Sequence, residues 1–307
     1  MAEYCISCCS TADLTKEYFD KRGIHYVCFH YELGGKDYLD DLGQTMSPAE
    51  LYRRMLAGED VKTSQVSIGE YADFFRKIFD EGKDILHLTL SSGISGSYNS
   101  ACIAAEQVRE EYPNRKIYVV DSLAASSGYG LLVDTLADRR DAGESIDELY
   151  AWVCENKKKL QHWFFTSDLT FFIRGGRVSK AAGFFGGMLG ICPLLNVDYE
   201  GHLTAREKVR TKKKVIQRIV QKMEENAEEV TNGDTEENAE GGLAYSGKCY
   251  ICQSECMDDA KAVAMLVESR FPNLNGKVEI YPIGATIGSH TGPGTVALFF
   301  WGKERVD

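Results

Sequence analysis

The sequence predicts an α/β protein of two domains, and three observations lead to that prediction. The chain has 307 residues, of which 44% are hydrophobic, enough for one large domain or two of ordinary size with a sizeable core. In the first half, short apolar runs alternate with helical patterns, and after Leu160 this rhythm changes. We therefore predict an N-terminal α/β domain over residues 1–160 and a C-terminal α+β domain over residues 161–307.

The first half consists of predicted strands separated by predicted helices. The strands are YCISC, IHYVCF, DILHLTL and KIYVVD. The helices are SPAELYRRMLAG, IGEYADFFRKIFDEG, SYNSACIAAEQVREEY and a stretch from about Ser127 to Ala142. Strands that alternate with helices form βαβ units, so we expect a Rossmann-like parallel sheet covered on both faces.

The second half predicts a largely antiparallel sheet. Its strand candidates are WFFTSDLTFFI, PLLNVDYEGHL, KCYICQ, KVEIYPI and TVALFFW, and its helices lie near 212–225 and 258–271. DYEGHL has the composition of a hairpin turn, which favours antiparallel pairing. Residues 225–242 are acidic and almost free of large apolar side chains, so they predict a mobile surface insertion.

Composition and charge exclude several classes of partner. The net charge of −11 argues against a nucleic-acid or anionic-membrane surface, although one local anion pocket remains compatible with it. No apolar run reaches 18 residues, and the N-terminus MAEYCISCC lacks the pattern of a signal peptide. We expect a cytoplasmic protein with no stable membrane insertion and no nucleic-acid partner.

Ten cysteines raise the question of disulfides or metal. Two groups each contain a C-x-x-C, namely Cys5, Cys8 and Cys9, and Cys249, Cys252 and Cys256. A zinc site could join the two groups. However, the strand period turns Cys249 and Cys252 toward opposite faces, which favours small buried thiols in a reducing cytosol. We predict no metal and no cofactor.

Four polar turns are candidates for a ligand site: KTSQVS (62–67), SSGISGS (91–97), DSLAASSGYG (121–130) and IGSHTGPGT (287–295). In an open parallel sheet, ligands bind beyond the carboxyl ends of the strands, where the second and third turns are predicted. SSGISGS would present backbone N–H groups at a helix N-terminus together with serine hydroxyls, which favours a small oxyanion. The alternative is that its serines only cap the helix.

The absence of nucleotide-binding motifs limits the type of anion that these turns could bind. The sequence contains no G-x-x-x-x-G-K-[ST], and these glycines do not follow G-x-G-x-x-G, so a carboxylate or simple phosphate fits better than a nucleotide. His290 could donate to a carboxylate or deliver a proton. An alternative is a serine hydrolase in which Ser95 is followed by Asp121 or Asp168 and then His290, although GISGS lacks the last glycine of G-x-S-x-G.

The glycine-rich apolar segment 174–195 could line an elongated cavity with a basic mouth. The candidate lining residues are Phe184, Phe185, Met188, Leu189 and Ile191. The alternative is a buried helix in which glycine allows close packing. The basic groups Arg174, Arg177 and KVRTKKK (208–214) could be a solvated face or could suit a phosphate-carrying partner.

Six segments, in order, resemble motifs of a known family. They are TSQVS, LSSGISGSYNSA, DSLAASSGYG, DLTFFIRGGRVS, GHLTAREKVR and IGSHTGPGTVALFF, and they extend from residue 63 to residue 300. Together they resemble the DegV family of fatty-acid-binding proteins, which includes the FakB subunits of bacterial fatty acid kinase. The resemblance implies a carrier, not an enzyme, that buries a fatty acid such as palmitate, stearate or oleate between two domains. It also implies that a separate ATP-dependent kinase subunit converts the presented carboxylate to an acyl phosphate.

The resemblance also implies roles for individual residues. Carboxylate binding would fall to Thr63, Ser64, Ser92, Ser95, Gly96 and His290, with Thr63 and Ser95 in direct contact. Arg177 and Arg210 would contact the kinase or the acyl phosphate. The chain departs from the family pattern where Cys9 replaces an aspartate and Val66 replaces a proline, and where the acidic insertion is long.

Overall fold

Short strands and helices alternate through the first half of the chain, and longer strands dominate the second. The computed structural model describes residues 4–179, 190–228 and 244–307. The described strands are β1 (Tyr4–Cys9), β2 (His25–Val27), β3 (His30–Leu33), β4 (Lys36–Leu39), β5 (Val61–Ser64), β6 (Asp84–Thr89), β7 (Ile117–Asp121), β8 (Leu160–Thr166), β9 (Val178–Ser179), β10 (Ile191–Val197), β11 (Leu203–Arg210), β12 (Cys249–Gln253), β13 (Glu279–Pro282) and β14 (Thr295–Trp301). The described α-helices are α1 (Lys16–Arg22), α2 (Pro48–Leu56), α3 (Ile68–Asp80), α4 (Ser97–Glu111), α5 (Ser126–Asp141), α6 (Ile146–Asn156), α7 (Thr170–Gly175), α8 (Lys212–Asn226), α9 (Met257–Arg270) and α10 (Ala285–Thr291).

Four strands of the first half form a parallel sheet in the order β2-β1-β6-β7. Every residue of β1, YCISCC, is buried, as expected for an inner strand of a parallel sheet. The following helices carry clear start signals; for example, Ser67 and Glu70 form a capping box at the start of α3. The predicted parallel α/β arrangement is confirmed.

The second half contains a seven-stranded sheet in the order β13-β12-β14-β8-β10-β11-β9. Its four central pairings are antiparallel, and only the outer pairs β12–β13 and β9–β11 are parallel. The prediction of a largely antiparallel sheet is therefore confirmed. This sheet begins at Leu160, while the division into separate domains at residue 160 stays a prediction.

Helix α5 is buried along most of its length because it contacts strands of both large sheets. Gly128 allows the close approach to the seven-stranded sheet. A Cβ at this position would lie 2.4 Å from His162 Nε2 and 2.4 Å from the Phe299 ring. One continuous cluster of buried apolar side chains extends over both sheets as a result.

A small antiparallel sheet, in the order β4-β3-β5, was not predicted. It packs with α2 around its own apolar cluster of Tyr31, Leu33, Leu51, Tyr52 and Met55. The prediction of KTSQVS as a turn is wrong in its first part, because Thr63 and Ser64 end β5 and pair with Tyr31 and His30. The side chains of this segment are therefore fixed by a strand ladder.

Two further predictions from turn-like sequence need correction. The segment IGSHTGPGT was predicted as a turn between strands, yet its first half belongs to α10. WFFTSDLTFFI divides into the end of β8 and the start of α7, because the Asp168 carboxylate accepts a hydrogen bond from the Thr170 N–H and starts the helix.

Several predictions concern features that the described residues only partly cover. The predicted insertion overlaps the end of α8 at Asn226, and residues 229–242 lie outside the described residues. Within the described ranges, no helix is long and apolar enough to cross a membrane. The same ranges contain no group of three or more His, Cys, Asp or Glu side chains arranged to hold a metal ion.

Candidate functional site

A cavity of about 610 Å³ lies between the polar turns of the parallel sheet and one face of the seven-stranded sheet. Its wall is largely apolar, with Ile94, Phe164, Phe172, Val197, Leu203 and Phe299 among its lining side chains. On β14, Thr295, Ala297 and Phe299 all line it, because alternate residues of a strand face the same side. On the neighbouring strand β8, His162 and Phe164 do the same.

The polar end of the cavity brings three of the predicted motifs together. Thr63, Ser64, Ser95, Gly96 and His290 all line it. The hydroxyl of Thr63 and Nε2 of His290 are 2.7 Å apart, although the two residues are 227 positions apart in the chain. Five of the six residues that the resemblance implied for a head group therefore lie in one place.

The serine turn that precedes α4 is held in place by its own backbone and by Gln65. Ile94 and Ser95 donate their N–H groups to the carbonyl oxygen of Ser91 at 3.2 and 3.1 Å. Gln65 donates to the Ser100 hydroxyl at 2.8 Å, and a Cβ at Gly96 would lie 2.7 Å from the Gln65 amide oxygen. Glycine at position 96 thus allows the two motifs to touch.

His290 is held near the end of α10 by contacts at both ends of that helix. The buried carboxylate of Asp40 accepts hydrogen bonds from the N–H groups of Ala285 and Thr286 at 3.3 and 3.0 Å. At the other end, Gly292 takes a φ of +67°, which ends the helix. Asp40 was not found from the sequence because it lies 245 residues before its partner.

The electrostatics of the polar end favour a neutral histidine. Burial first, and then the positive charge of Arg177, lower the pKa of His290 to about 4. At neutral pH its ring therefore acts as a hydrogen-bonding group rather than as a cation. Arg177 lies at the same end, lines the cavity and is exposed, so it supplies the positive charge there.

The position of Ser92 differs from what the prediction of a carboxylate contact requires. Its side chain is exposed and lies outside the cavity lining, and its N–H donates to the Asp121 carboxylate at 3.0 Å. The neighbouring Ser91 points inward instead and donates to the carbonyl oxygen of Gly201 at 2.8 Å. The turn therefore presents Ser95, and not Ser92, to the cavity.

Two of the predicted residues lie far from the cavity. Ile191 and Arg210 are paired at one end of the β10–β11 hairpin, whereas Val197 and Leu203 at the other end line the cavity. At about 3.3 Å per residue, Arg210 is roughly 23 Å along β11 from Leu203. Ile191 is therefore not a cavity residue. The remaining lining candidates, Phe184, Phe185, Met188 and Leu189, lie outside the described residues.

The described contacts do not form the catalytic arrangement that the serine-hydrolase alternative requires. A serine nucleophile needs a base within hydrogen-bond reach. In the described part of the chain, Ser95 Oγ accepts a hydrogen bond from the Ser97 N–H at 3.2 Å, and His290 Nε2 contacts Thr63 instead. Asp121 is engaged by the N–H groups of Ser92 and Leu123.

A second cavity, of about 560 Å³, adjoins the first at its polar end. The two share Thr63, Arg177 and His290 as lining residues, and the second is also lined by Lys62 and Arg174. Glu59 and Asp60 also line the second cavity, and Lys62 forms an ion pair with Asp60 at 3.7 Å. The polar head-group region is therefore bordered by an apolar cavity on one side and by a more polar cavity of mixed charge on the other, in which Arg174 and Arg177 lie next to His290.

Comparisons with known proteins identify the family of the chain. The model of the family described as "Uncharacterised protein, DegV family" matches residues 8–303. The chain belongs to the DegV family. A DegV domain-containing protein of Clostridium perfringens (strain 13 / Type A) is 34% identical to it over 99% of both chains.

Solved structures of similar proteins share the fold. A DegV family protein from Thermus thermophilus, whose structure is described as showing fatty acid binding, superposes with a TM-score of 0.84 at 27% identity and covers 98% of this chain and 99% of its own. A stearic acid-binding protein from Eubacterium ventriosum superposes with a TM-score of 0.80 at 26% identity, over 96% of this chain and 97% of its own.

The apolar wall was missed by sequence reasoning, which placed the cavity lining in segment 174–195. Part of the signal was present in HWFF and VALFF, which belong to two predicted apolar strands and contribute Phe164, Ala297 and Phe299 to the cavity lining. Such strands are usually read as core, and only the arrangement of the sheets shows that one face borders a cavity.

Proposed function

We propose that the protein binds one long-chain fatty acid in the 610 Å³ cavity. Its carboxylate would lie at Thr63, Ser64, Ser95, Gly96 and His290, and its tail would extend along the apolar wall. The observation that carries this proposal is the convergence of hydroxyls and a neutral histidine at one end of a cavity that is otherwise apolar. The volume falls within the usual range for small-molecule sites.

The two ends of the cavity would contribute differently to binding. Tail burial supplies about 0.8 kcal/mol per CH₂ group, so the apolar wall provides most of the affinity. The hydroxyl groups of Thr63 and Ser95 replace the water that the carboxylate loses, which fixes the direction in which the chain enters. The fatty-acid ligands named for the Thermus thermophilus and Eubacterium ventriosum proteins support the same ligand class.

The finer part of the proposal is that the bound carboxylate is presented to a separate ATP-dependent kinase subunit, which forms the acyl phosphate. The second cavity supports this part, because it adjoins the polar end and is lined there by Arg174 and Arg177, while its acidic residues Glu59 and Asp60 lie beside Lys62. A phosphoryl group placed beside these two arginines would meet positive charge. In this proposal the protein itself is a carrier and catalyses no step.

Native mass spectrometry of the purified protein, followed by denaturation and identification of the released lipid, tests the first part. We expect a stoichiometric adduct with the mass of a long-chain acid, released as the free fatty acid. A clean apo mass, together with no uptake of added palmitate or oleate, would contradict fatty-acid binding.

The kinase step is tested with the loaded protein, ATP, the fatty acid kinase catalytic subunit from the same genome, and hydroxylamine to trap acyl phosphate. We expect acyl hydroxamate only when all components are present. Arg177→Ala should lower its yield because this side chain borders both cavities. Loaded protein that yields no hydroxamate would contradict presentation to a kinase while leaving fatty-acid binding intact.

A further inference from the structure

The buried hydroxyl of Tyr71 joins the two segments that carry Thr63 and Ser95. Tyr71 lies in the first turn of α3, the helix that follows Thr63 along the chain. Its hydroxyl oxygen is 2.5 Å from Oγ of Ser97, the first residue of α4. The Ser97 N–H in turn donates to Ser95 Oγ at 3.2 Å. A continuous set of contacts therefore connects the segment after Thr63 to Ser95.

Cys9 also contacts the Tyr71 hydroxyl. Its Sγ lies 3.1 Å from that hydroxyl at the end of β1, and its own N–H donates to the hydroxyl of Tyr129 at 2.9 Å. The side chains of Cys9, Tyr71 and Ser97 are all fully buried. Burial raises the pKa of the Cys9 thiol, so Cys9 takes part as a neutral S–H group.

The ring of Tyr71 is also fixed by its neighbours. It stacks on Phe75 with ring centroids 5.7 Å apart and meets the edge of His87 at 5.4 Å. Because the ring, the thiol and the Ser97 hydroxyl are enclosed in the core, none of them can move independently of the others. The Tyr71 hydroxyl is therefore the buried contact that joins α3 to the first residue of α4, next to Ser95, in addition to the Gln65–Ser100 hydrogen bond.

We propose that Tyr71, with Cys9 behind it, is a positioning residue that sets the separation of the Thr63 and Ser95 hydroxyls and thereby makes the site prefer a carboxylate over an uncharged head group. This inference rests on the proposed fatty-acid function. With His290 Nε2–H donating to Thr63 Oγ1, the hydroxyl hydrogens of Thr63 and Ser95 are both free to donate to the two oxygens of a carboxylate, whereas an alcohol offers one oxygen. Loss of the separation should weaken binding of the acid, while tail burial holds the alcohol as before.

The experiment compares the affinities for hexadecanoic acid and hexadecan-1-ol, both delivered from cyclodextrin and measured by native mass spectrometry. The wild-type protein should prefer the acid. Tyr71→Phe should reduce that preference about fivefold, which corresponds to the typical net effect of one hydrogen bond, with the affinity for the alcohol unchanged. Each ratio comes from one protein preparation, so the fraction of folded protein cancels.

Tyr112→Phe is the matched control. Its hydroxyl bonds to Asp80 at 2.7 Å and so joins α3 and α4 at their other ends, away from the cavity. This variant should keep the wild-type preference. Cys9→Ala should reduce the preference about threefold, and Cys9→Ser, which keeps a hydrogen-bonding side chain, should restore it. Should Tyr71→Phe fail to fold by circular dichroism, the Cys9 pair decides the question.

Three results would overturn the inference. Equal preferences in Tyr71→Phe and Tyr112→Phe would show that the hydroxyl does not position the site. Parallel losses for acid and alcohol would assign Tyr71 to stability alone. A wild-type protein that binds neither ligand would overturn the proposed function first, and the positioning role with it.

Discussion

The polar end of the cavity comes from three short segments that are far apart in the chain, whereas the apolar wall comes from alternate residues of adjacent strands. The polar end depends on specific hydrogen bonds, such as Thr63 to His290 and Asp40 to the start of α10. The wall depends on volume and on the strand period. We therefore expect the wall to control affinity and chain length, and the polar end to control which head group binds.

The largest effect should come from filling the apolar wall. Ala297→Phe adds a ring at a buried position that lines the cavity from the centre of β14. If the ring excludes roughly four methylenes at about 0.8 kcal/mol each, the affinity for palmitate should fall roughly a hundredfold. A titration with decanoic and hexadecanoic acids checks this, because the shorter acid should bind the variant as it binds the wild type. Equal losses of affinity for both acids would show that the far end of the long tail does not lie at Ala297.

A smaller effect should come from removing the hydroxyls at the polar end. The double change Thr63→Ala and Ser95→Ala deletes two donors, each worth about 1 kcal/mol net, so the affinity for palmitate should fall about thirtyfold. Ser92→Ala is the control, because Ser92 belongs to the same turn but its exposed side chain lies outside the cavity lining. Unchanged retention of palmitate by a folded double variant would rule out these hydroxyls as the head-group site.

The contrast between the polar end and the apolar wall also explains which parts of the site could be predicted from the sequence. Thr63, Ser95 and His290 lie in compact motifs, so their presence at one site was accessible from sequence. Ser92 shows the limit, because a turn with several serines does not reveal which of them faces inward. Arg210 was grouped with Arg177 by motif, yet the extended geometry of β11 carries it roughly 23 Å from the cavity end of that strand.

The elements missed in the fold share a physical cause. β3, β4 and β5 are each four residues long and polar on one side, so they give no clear periodic signal. Helix α10 is rich in Gly, Ser and Thr, which have low helix propensity. It forms because the distant Asp40 carboxylate accepts hydrogen bonds from its first N–H groups, an interaction that local sequence cannot reveal.

The smallest effect concerns pH and the stability of the polar end. The pKa of His290 is lowered from 6.5 to about 4 by burial first and by Arg177 second. Between pH 6.5 and about 4 the unfolded chain therefore binds more protons at this residue than the folded protein does. The contribution of His290 to the free energy of unfolding is therefore fully present above pH 6.5, and it is lost as the pH falls toward 4.

The wild-type protein should lose unfolding free energy as the pH falls from 6.5 to 5. We expect this loss to be about 1 kcal/mol smaller in His290→Gln, a value that allows for the water that still reaches the ring. Urea unfolding of both proteins at the two pH values measures it. Thr63→Val removes the Nε2 partner but leaves the buried ring, so it should keep the wild-type pH dependence, because burial is the first cause of the lowered pKa. A pH dependence that is the same in His290→Gln as in the wild type would mean that the ring is as well hydrated in the folded protein as in the unfolded chain. The polar end would then be open to water, unlike the apolar wall beside it.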